Sequence, residues 1–206
     1  GYHVLANGNE VSSKSVHRYD TQNNVWLTDG TNIPVPIDDQ VQAVYKDSLI
    51  YVITGWSNVN NVTAVQIYDT YNDSWQVGTA VPNTSASRLF GASGIIIGNT
   101  IYYFGGAKNG SFVANNTLTI GEIDPLDPNT ITWTDTILAA NLYGYRNACT
   151  SIWGEAIWLG GSDITYNYNG IAYNGSGGVP PNNKVLILGA DMVWDSTSID
   201  LPMDLR

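Results

Sequence analysis

Three of the four arginines, Arg88, Arg146 and Arg206, stand just ahead of strand-like segments or at the point where one would open. Asp39 holds the corresponding place ahead of another such segment. A guanidinium presents a planar fork that binds a carboxylate through two parallel hydrogen bonds. A set of arginines interrupted by one acid therefore reads either as a grip for an acidic ligand or as ion pairs with neighbouring acids and loop carbonyls. A second group lies in "SDITYNYNGIAYNGSGGVPPNN" (162–183), where Tyr166, Tyr168 and Tyr173 alternate with Asn and Gly. Rigid amphipathic tyrosines among adaptable polar neighbours suit a contact surface, and an unstructured loop this long is usually functional or disordered. The remaining reactive types are isolated. Cys149 sits alone in "RNACTSIW", and a lone strand cysteine reads as a packed, inert thiol. His3 and His17 are far in sequence from Arg88, Arg146 and Arg206, and "DPLDPNT" has the wrong spacing for a calcium loop. No catalytic residue, metal ligand or cofactor is assigned.

The elements that must carry these residues are legible from two figures running in phase. The first is a turn, an Ile-aromatic strand and a glycine pair: "DSLIYVITGWSN", "NTIYYFGGAKNG" and "GEAIWLGGSDI" end on Thr54-Gly55, Gly105-Gly106 and Gly160-Gly161. Glycines at a strand end mark a bend or a close backbone approach. The second is Tyr-Asp-Thr followed by Asn and Trp, in "VHRYDTQNNVW" and "VQIYDTYNDSW", with looser copies ending on Trp133 and Trp194. Strands are predicted near 41–45, 49–54, 64–69 and 74–77, then 92–97, 100–104, 118–124 and 130–135, then 148–152, 156–159, 185–190 and 193–196. No segment shows helical periodicity. The Trp residues 26, 75, 133 and 194 are expected to fill the space between sheets, since an aromatic side chain buries roughly 150–250 Å².

A period of about 50 residues, with Gly-Gly after one strand and Trp in another, resembles the kelch-repeat β-propellers, whose unit is a four-stranded blade. The resemblance covers essentially the whole chain. It implies an all-β propeller arc of about three and a half antiparallel blades: a half blade in 1–37, full blades in 38–86, 87–143 and 144–201, and the start of another in 202–206. Residues 1–20 begin on a glycine where the second of a pair would stand and continue as the loop between a blade's second and third strands. Propellers close their rings because open arcs leave sheet edges bare. The expected partner is therefore the remainder of a propeller, from the same polypeptide or a second copy. Fold alone does not fix activity. In kelch proteins that bind acidic peptides or sugar acids, arginines at the inner strand openings do the gripping. The leading expectation is an extracellular binding or structural module for a protein or glycan, using the 162–183 loop and the Arg88/Arg146 face. The alternative is a carbohydrate-active propeller of the sugar-mutarotase type, which requires Arg88 and Arg146 to converge on a carboxylate such as Asp39. A galactose-oxidase-like copper site and a sialidase-like arginine triad both lack their residues.

Composition bounds the rest. Net charge is −10 with no basic stripe, which argues against nucleic-acid binding. No apolar run is long enough to span a bilayer. Six Asn-X-Ser/Thr sequons, at Asn61, Asn72, Asn83, Asn109, Asn115 and Asn174, all fall in predicted loops. With few lysines and a surface rich in Asn, Ser, Thr and Tyr, they point to a secreted or extracellular glycoprotein.

Overall fold

The computed structural model describes residues 1–138, 141–195 and 200–204, and Arg206 lies outside them. In chain order the strands are β1 (Tyr2–Val4), β2 (Glu10–Ser12), β3 (Tyr19–Asp20), β4 (Val25–Trp26), β5 (Val41–Tyr45), β6 (Leu49–Ile53), β7 (Trp56–Ser57), β8 (Asn60–Asn61), β9 (Val65–Asp69), β10 (Ser74–Val77), β11 (Leu89–Ile97), β12 (Thr100–Lys108), β13 (Thr117–Asp124), β14 (Asp127–Ile137), β15 (Ala148–Ile152), β16 (Glu155–Leu159), β17 (Val185–Leu188) and β18 (Trp194–Asp195). No helix occurs among the described residues. Three four-stranded antiparallel meanders, β5-β6-β9-β10, β11-β12-β13-β14 and β15-β16-β17-β18, form the body of a propeller-like all-β fold. Three two-stranded pieces accompany them: β1-β2, β3-β4 and β7-β8.

Both sequence figures have a physical cause. In the Tyr-Asp-Thr turns, Asp20 accepts hydrogen bonds from the Gln22 and Asn23 amides and the Asn23 side chain. Asp69 does the same with Tyr71, Asn72 and the Asn72 side chain. The turn delivers Trp opposite Tyr across the strand pair: Tyr19 faces Trp26 and Tyr68 faces Trp75, with ring centroids 5.0 Å apart in both. Trp133 and Trp194 occupy the matching register opposite Gly121 and Leu188. The indole N–H of Trp75 donates to the Thr31 carbonyl and that of Trp133 to the Thr79 carbonyl, at 2.7 and 2.9 Å, so each tryptophan ties its sheet to the segment entering it.

The glycine pairs are where neighbouring sheets meet. Thr54, Gly55, Gly105, Gly106, Gly160 and Gly161 all have positive φ, a conformation that side chains with a Cβ adopt at a cost. The Gly55 amide donates to Leu89 O at 2.8 Å and the Gly106 amide to Gly144 O at 2.7 Å, each in the next sheet's first strand or its approach. A Cβ on Gly105 would lie 2.1 Å from Gly144 O. The strand ends on glycine because another backbone stands where a side chain would go.

Packing between sheets is apolar. Val41, Tyr51, Ile53 and Ile67 of the first meander bury against Leu89, Ile101, Tyr103 and Trp133 of the second. Phe104 and Leu118 of the second bury against Trp158, Leu186 and Trp194 of the third. Two expectations need correcting. Trp26 is 72% exposed, because β3-β4 has no sheet on its outer side among the described residues, whereas Trp158, on a second strand, is fully buried. Residues 1–20 are not a bare connection: β1 and β2 form a hairpin held to β7-β8 by reciprocal bonds between Ser12 and Asn58, both 3.0 Å.

Candidate functional site

The inner openings of the three meanders superimpose in register. Asp38 bridges Trp56, Phe90 pairs with Ala107 and Tyr145 bridges Ser162, each pairing falling one residue after a glycine pair. The following residues, Asp39, Gly91 and Arg146, all have positive φ, at 48, 66 and 55°. Their backbones form a chain across the sheets, Arg146 N–H to Gly91 O and Gly91 N–H to Asp39 O, both 2.7 Å. Arg146 reaches past Gly91 and donates from Nη2 to Asp39 Oδ2, joining the third meander to the first. Gly91 has to be a glycine here, since a Cβ would sit 2.3 Å from the Tyr145 ring. The Arg146 guanidinium lies 5.0 Å from the Tyr145 ring centroid and 5.1 Å from that of Tyr166. Its left-handed backbone is a strained choice for arginine, held in place by these contacts.

This arrangement corrects the reading of Arg88. The position equivalent to Arg146 and Asp39 is Gly91, three residues on from Arg88. Arg88 instead lines a shallow groove with Val35, Asn60, Asn61 and Asn83, away from Arg146. The arginines do not converge; Arg146 and Asp39 do.

The Arg146–Asp39 pair separates two cavities. One, about 490 Å³, opens among the first strands and is lined by Gln40, Gln42, Ser93, Asn147 and Cys149 beside the pair. The other, about 220 Å³, opens on the loop face. Its floor is a ring cluster, with Trp56–Phe90, Trp56–Phe112 and Phe112–Tyr173 centroids 5.6, 5.7 and 4.8 Å apart. Tyr2, Glu10 and Tyr168 stand at its rim, and Asp38 lines it beside Asp39. Asp38 is buried, and burial pushes its carboxyl above the usual aspartate range, against the hydrogen bond from Ser12 Oγ to Oδ2 at 2.5 Å. Burial likewise raises the Tyr173 phenol, which stays a hydrogen-bond donor at neutral pH. Burial pushes the Cys149 thiol up to about 12, the inert thiol its setting implied.

Asp38 and Glu10 are members of this site that the sequence reading missed. Asp38 was hidden beside Asp39 in a turn that reads as ordinary Asp chemistry. Glu10 comes from the hairpin taken for a loop. The 162–183 loop is more ordered than its composition suggests: Tyr166 bridges Ala172, Ile171 bridges Gly178, and Tyr166, Ala172 and Val179 are buried against Phe90 and Tyr145. Tyr166 is thus part of the support, while Tyr168 is 55% exposed and Tyr173 half-buried at the cavity. Of the sequon asparagines, Asn72, Asn83 and Asn174 are exposed and Asn109 is partly so. Asn61 and Asn115 are buried, their amides donating to Arg88 O and Ala107 O, and to Ala86 O and Gly105 O, so no glycan fits on either in the folded chain.

A buried carboxyl whose hold on its proton is raised, a second carboxylate fixed by arginine and an aromatic floor can donate a proton, accept one and stack against the apolar face of a ring-shaped polar molecule. Among the described residues, no group of three or more His, Cys, Asp or Glu could hold a metal ion, and no helix is long and apolar enough to cross a membrane.

No protein-family model matches the chain, and no curated protein matches its sequence. Its fold does match solved structures. One described as "Structure of YjhT" superimposes with a TM-score of 0.76 at 12% identity, covering 99% of this chain and 67% of that one. At that identity the likeness carries the fold alone.

Proposed function

We propose that the chain is a kelch-type β-propeller arc bearing a carbohydrate-active site of the sugar-mutarotase type on its loop face. The observation that carries the reading is the convergence of Arg146, Asp39 and the buried Asp38 on one aromatic-floored cavity. The kelch assignment rests on the in-phase glycine pairs and Tyr–Trp pairs in successive sheets. Ring completion by further strands, from the same polypeptide or a second copy, would cover the two-stranded β3-β4 piece and its exposed Trp26.

Interconversion of anomers needs one proton removed and one supplied. A carboxylate, Asp39 in this assignment, takes the proton of the anomeric hydroxyl; the electron pair forms the carbonyl and the bond from the anomeric carbon to the ring oxygen breaks. Asp38 gives its proton to the departing ring oxygen. Rotation and the reverse steps close the other anomer and return both protons. General acid–base assistance of this kind contributes about 10²- to 10⁴-fold. The direct test follows optical rotation after dissolving single anomers of glucose, galactose, glucosamine and glucuronate. The protein should accelerate equilibration of at least one, and Asp38→Asn should remove at least about a hundredfold of that acceleration while remaining folded. Equal rates with and without protein for all four would overturn the reading.

Exposed Tyr168 and Ile171 on the 162–183 loop favour a second reading, an extracellular module that binds a protein or glycan without chemistry. The exposed sequons Asn72, Asn83 and Asn174 accord with a secreted setting. Binding that survives Asp38→Asn but is lost with Tyr168→Ala would select this reading.

A further inference from the structure

The charge balance of the loop-face cavity bears on which sugar it takes. Two carboxylates, Glu10 and Asp39, and the buried Asp38 carboxyl line it against one cation, Arg146. The Arg146 guanidinium is already paired with Asp39. Neither Glu10 nor Asp38 forms a salt bridge among the described residues. The floor is built of aromatic rings, whose π faces attract cations and disfavour anions. An anionic ligand entering here would meet acids and aromatic rings, with its one possible guanidinium partner occupied.

Resting on the carbohydrate reading above, we infer that the cavity takes a sugar bearing a protonated amine and discriminates against sugar acids. The ammonium lies between Glu10 and the faces of Trp56 and Tyr173, leaving Asp38 and Asp39 to the ring oxygen and hydroxyls. This reverses the expectation, drawn from the arginines alone, of an acidic ligand. Those arginines were read as a gripping set, whereas Arg88 lies elsewhere and Arg146 is neutralised.

Calorimetric titration of the folded chain with glucosamine, glucose and glucuronate, at low salt and slightly acidic pH, tests the inference. Glucosamine should bind about tenfold more tightly than glucose, as one ammonium over aromatic faces beside a carboxylate would give, and glucuronate more weakly than either. Glu10→Gln and Tyr168→Ala alter exposed side chains at the rim, so both variants should fold. Glu10→Gln should erase most of the glucosamine preference, and Tyr168→Ala should lower affinity for all three sugars. Glucuronate binding as tightly as glucosamine, or a preference unmoved by Glu10→Gln, would overturn the inference while leaving the carbohydrate reading intact. Tetramethylammonium chloride separates the two. If it binds in a Glu10-dependent way while no sugar does, the cation site stands and the carbohydrate reading fails. If neither it nor any sugar binds, both fail.

Discussion

Asp38 carries a cost of burial. Burial raises its carboxyl in the folded chain, so between the unfolded and folded values the native state holds a proton that the unfolded chain has released. Stability attributable to this group therefore falls as pH rises from the ordinary aspartate range through the raised folded value. Asp38→Asn is expected to melt at a higher temperature than the parent at neutral pH and at the same temperature below the ordinary aspartate range, while losing activity. Thermal unfolding across pH checks this; a variant less stable at neutral pH would mean that the Ser12 hydrogen bond outweighs burial. At this scale the sequence was half legible. Arg146 and Asp39 stood out because charge at a repeated position is conspicuous. Gly91 could not, since a residue without a side chain gives no chemical signal, and Arg88, three positions away, took its place. Tyr166 was legible as an aromatic but not as one buried under its own loop.

Among the elements, the junctions and the turns make separate demands. At Gly105 the backbone has φ +78° and a Cβ would meet Gly144 O at 2.1 Å. Gly105→Ala should destabilise by at least about 1–3 kcal/mol, from backbone strain before any clash is counted. Urea unfolding measures it, and a neutral result would refute the close-approach account of the glycine pairs. In the turns, hydrogen bonds from the Asn72 side chain and amide and the Tyr71 amide hold the Asp69 carboxyl below its usual value. That contribution is present above the ordinary aspartate range and lost as pH falls through the lowered value. Asp69→Ala should therefore lower the melting temperature at neutral pH and converge on the parent in acid. The meanders were legible because alternating apolar residues and paired turns repeat three times. The hairpins β1-β2 and β7-β8 were not, since strands of two or three residues, rich in Asn, Ser and Glu, have no period to detect. Their order comes from contacts such as Ser12 with Asn58, which lie far apart in sequence.

For the whole molecule, packing between sheets decides cohesion. Trp158→Ala would empty a fully buried site between the second and third meanders and should cost about 3–5 kcal/mol. If the protein is made in a eukaryotic secretory pathway, peptide mass mapping should find glycans at some of Asn72, Asn83, Asn109 and Asn174 and at neither Asn61 nor Asn115. Modification of either buried position would contradict the packing described. The repeat made the architecture readable, whereas the face cavity draws residues from three meanders and two hairpins that no local motif links. The measurement that tests the site most directly is a crystal structure of the chain soaked with glucosamine. The account predicts the sugar ring in the loop-face cavity, against Trp56 and Tyr173, with its ring oxygen or anomeric hydroxyl within hydrogen-bond reach of Asp38. An empty cavity at saturating sugar, or a sugar seated only in the Arg88 groove, would contradict it.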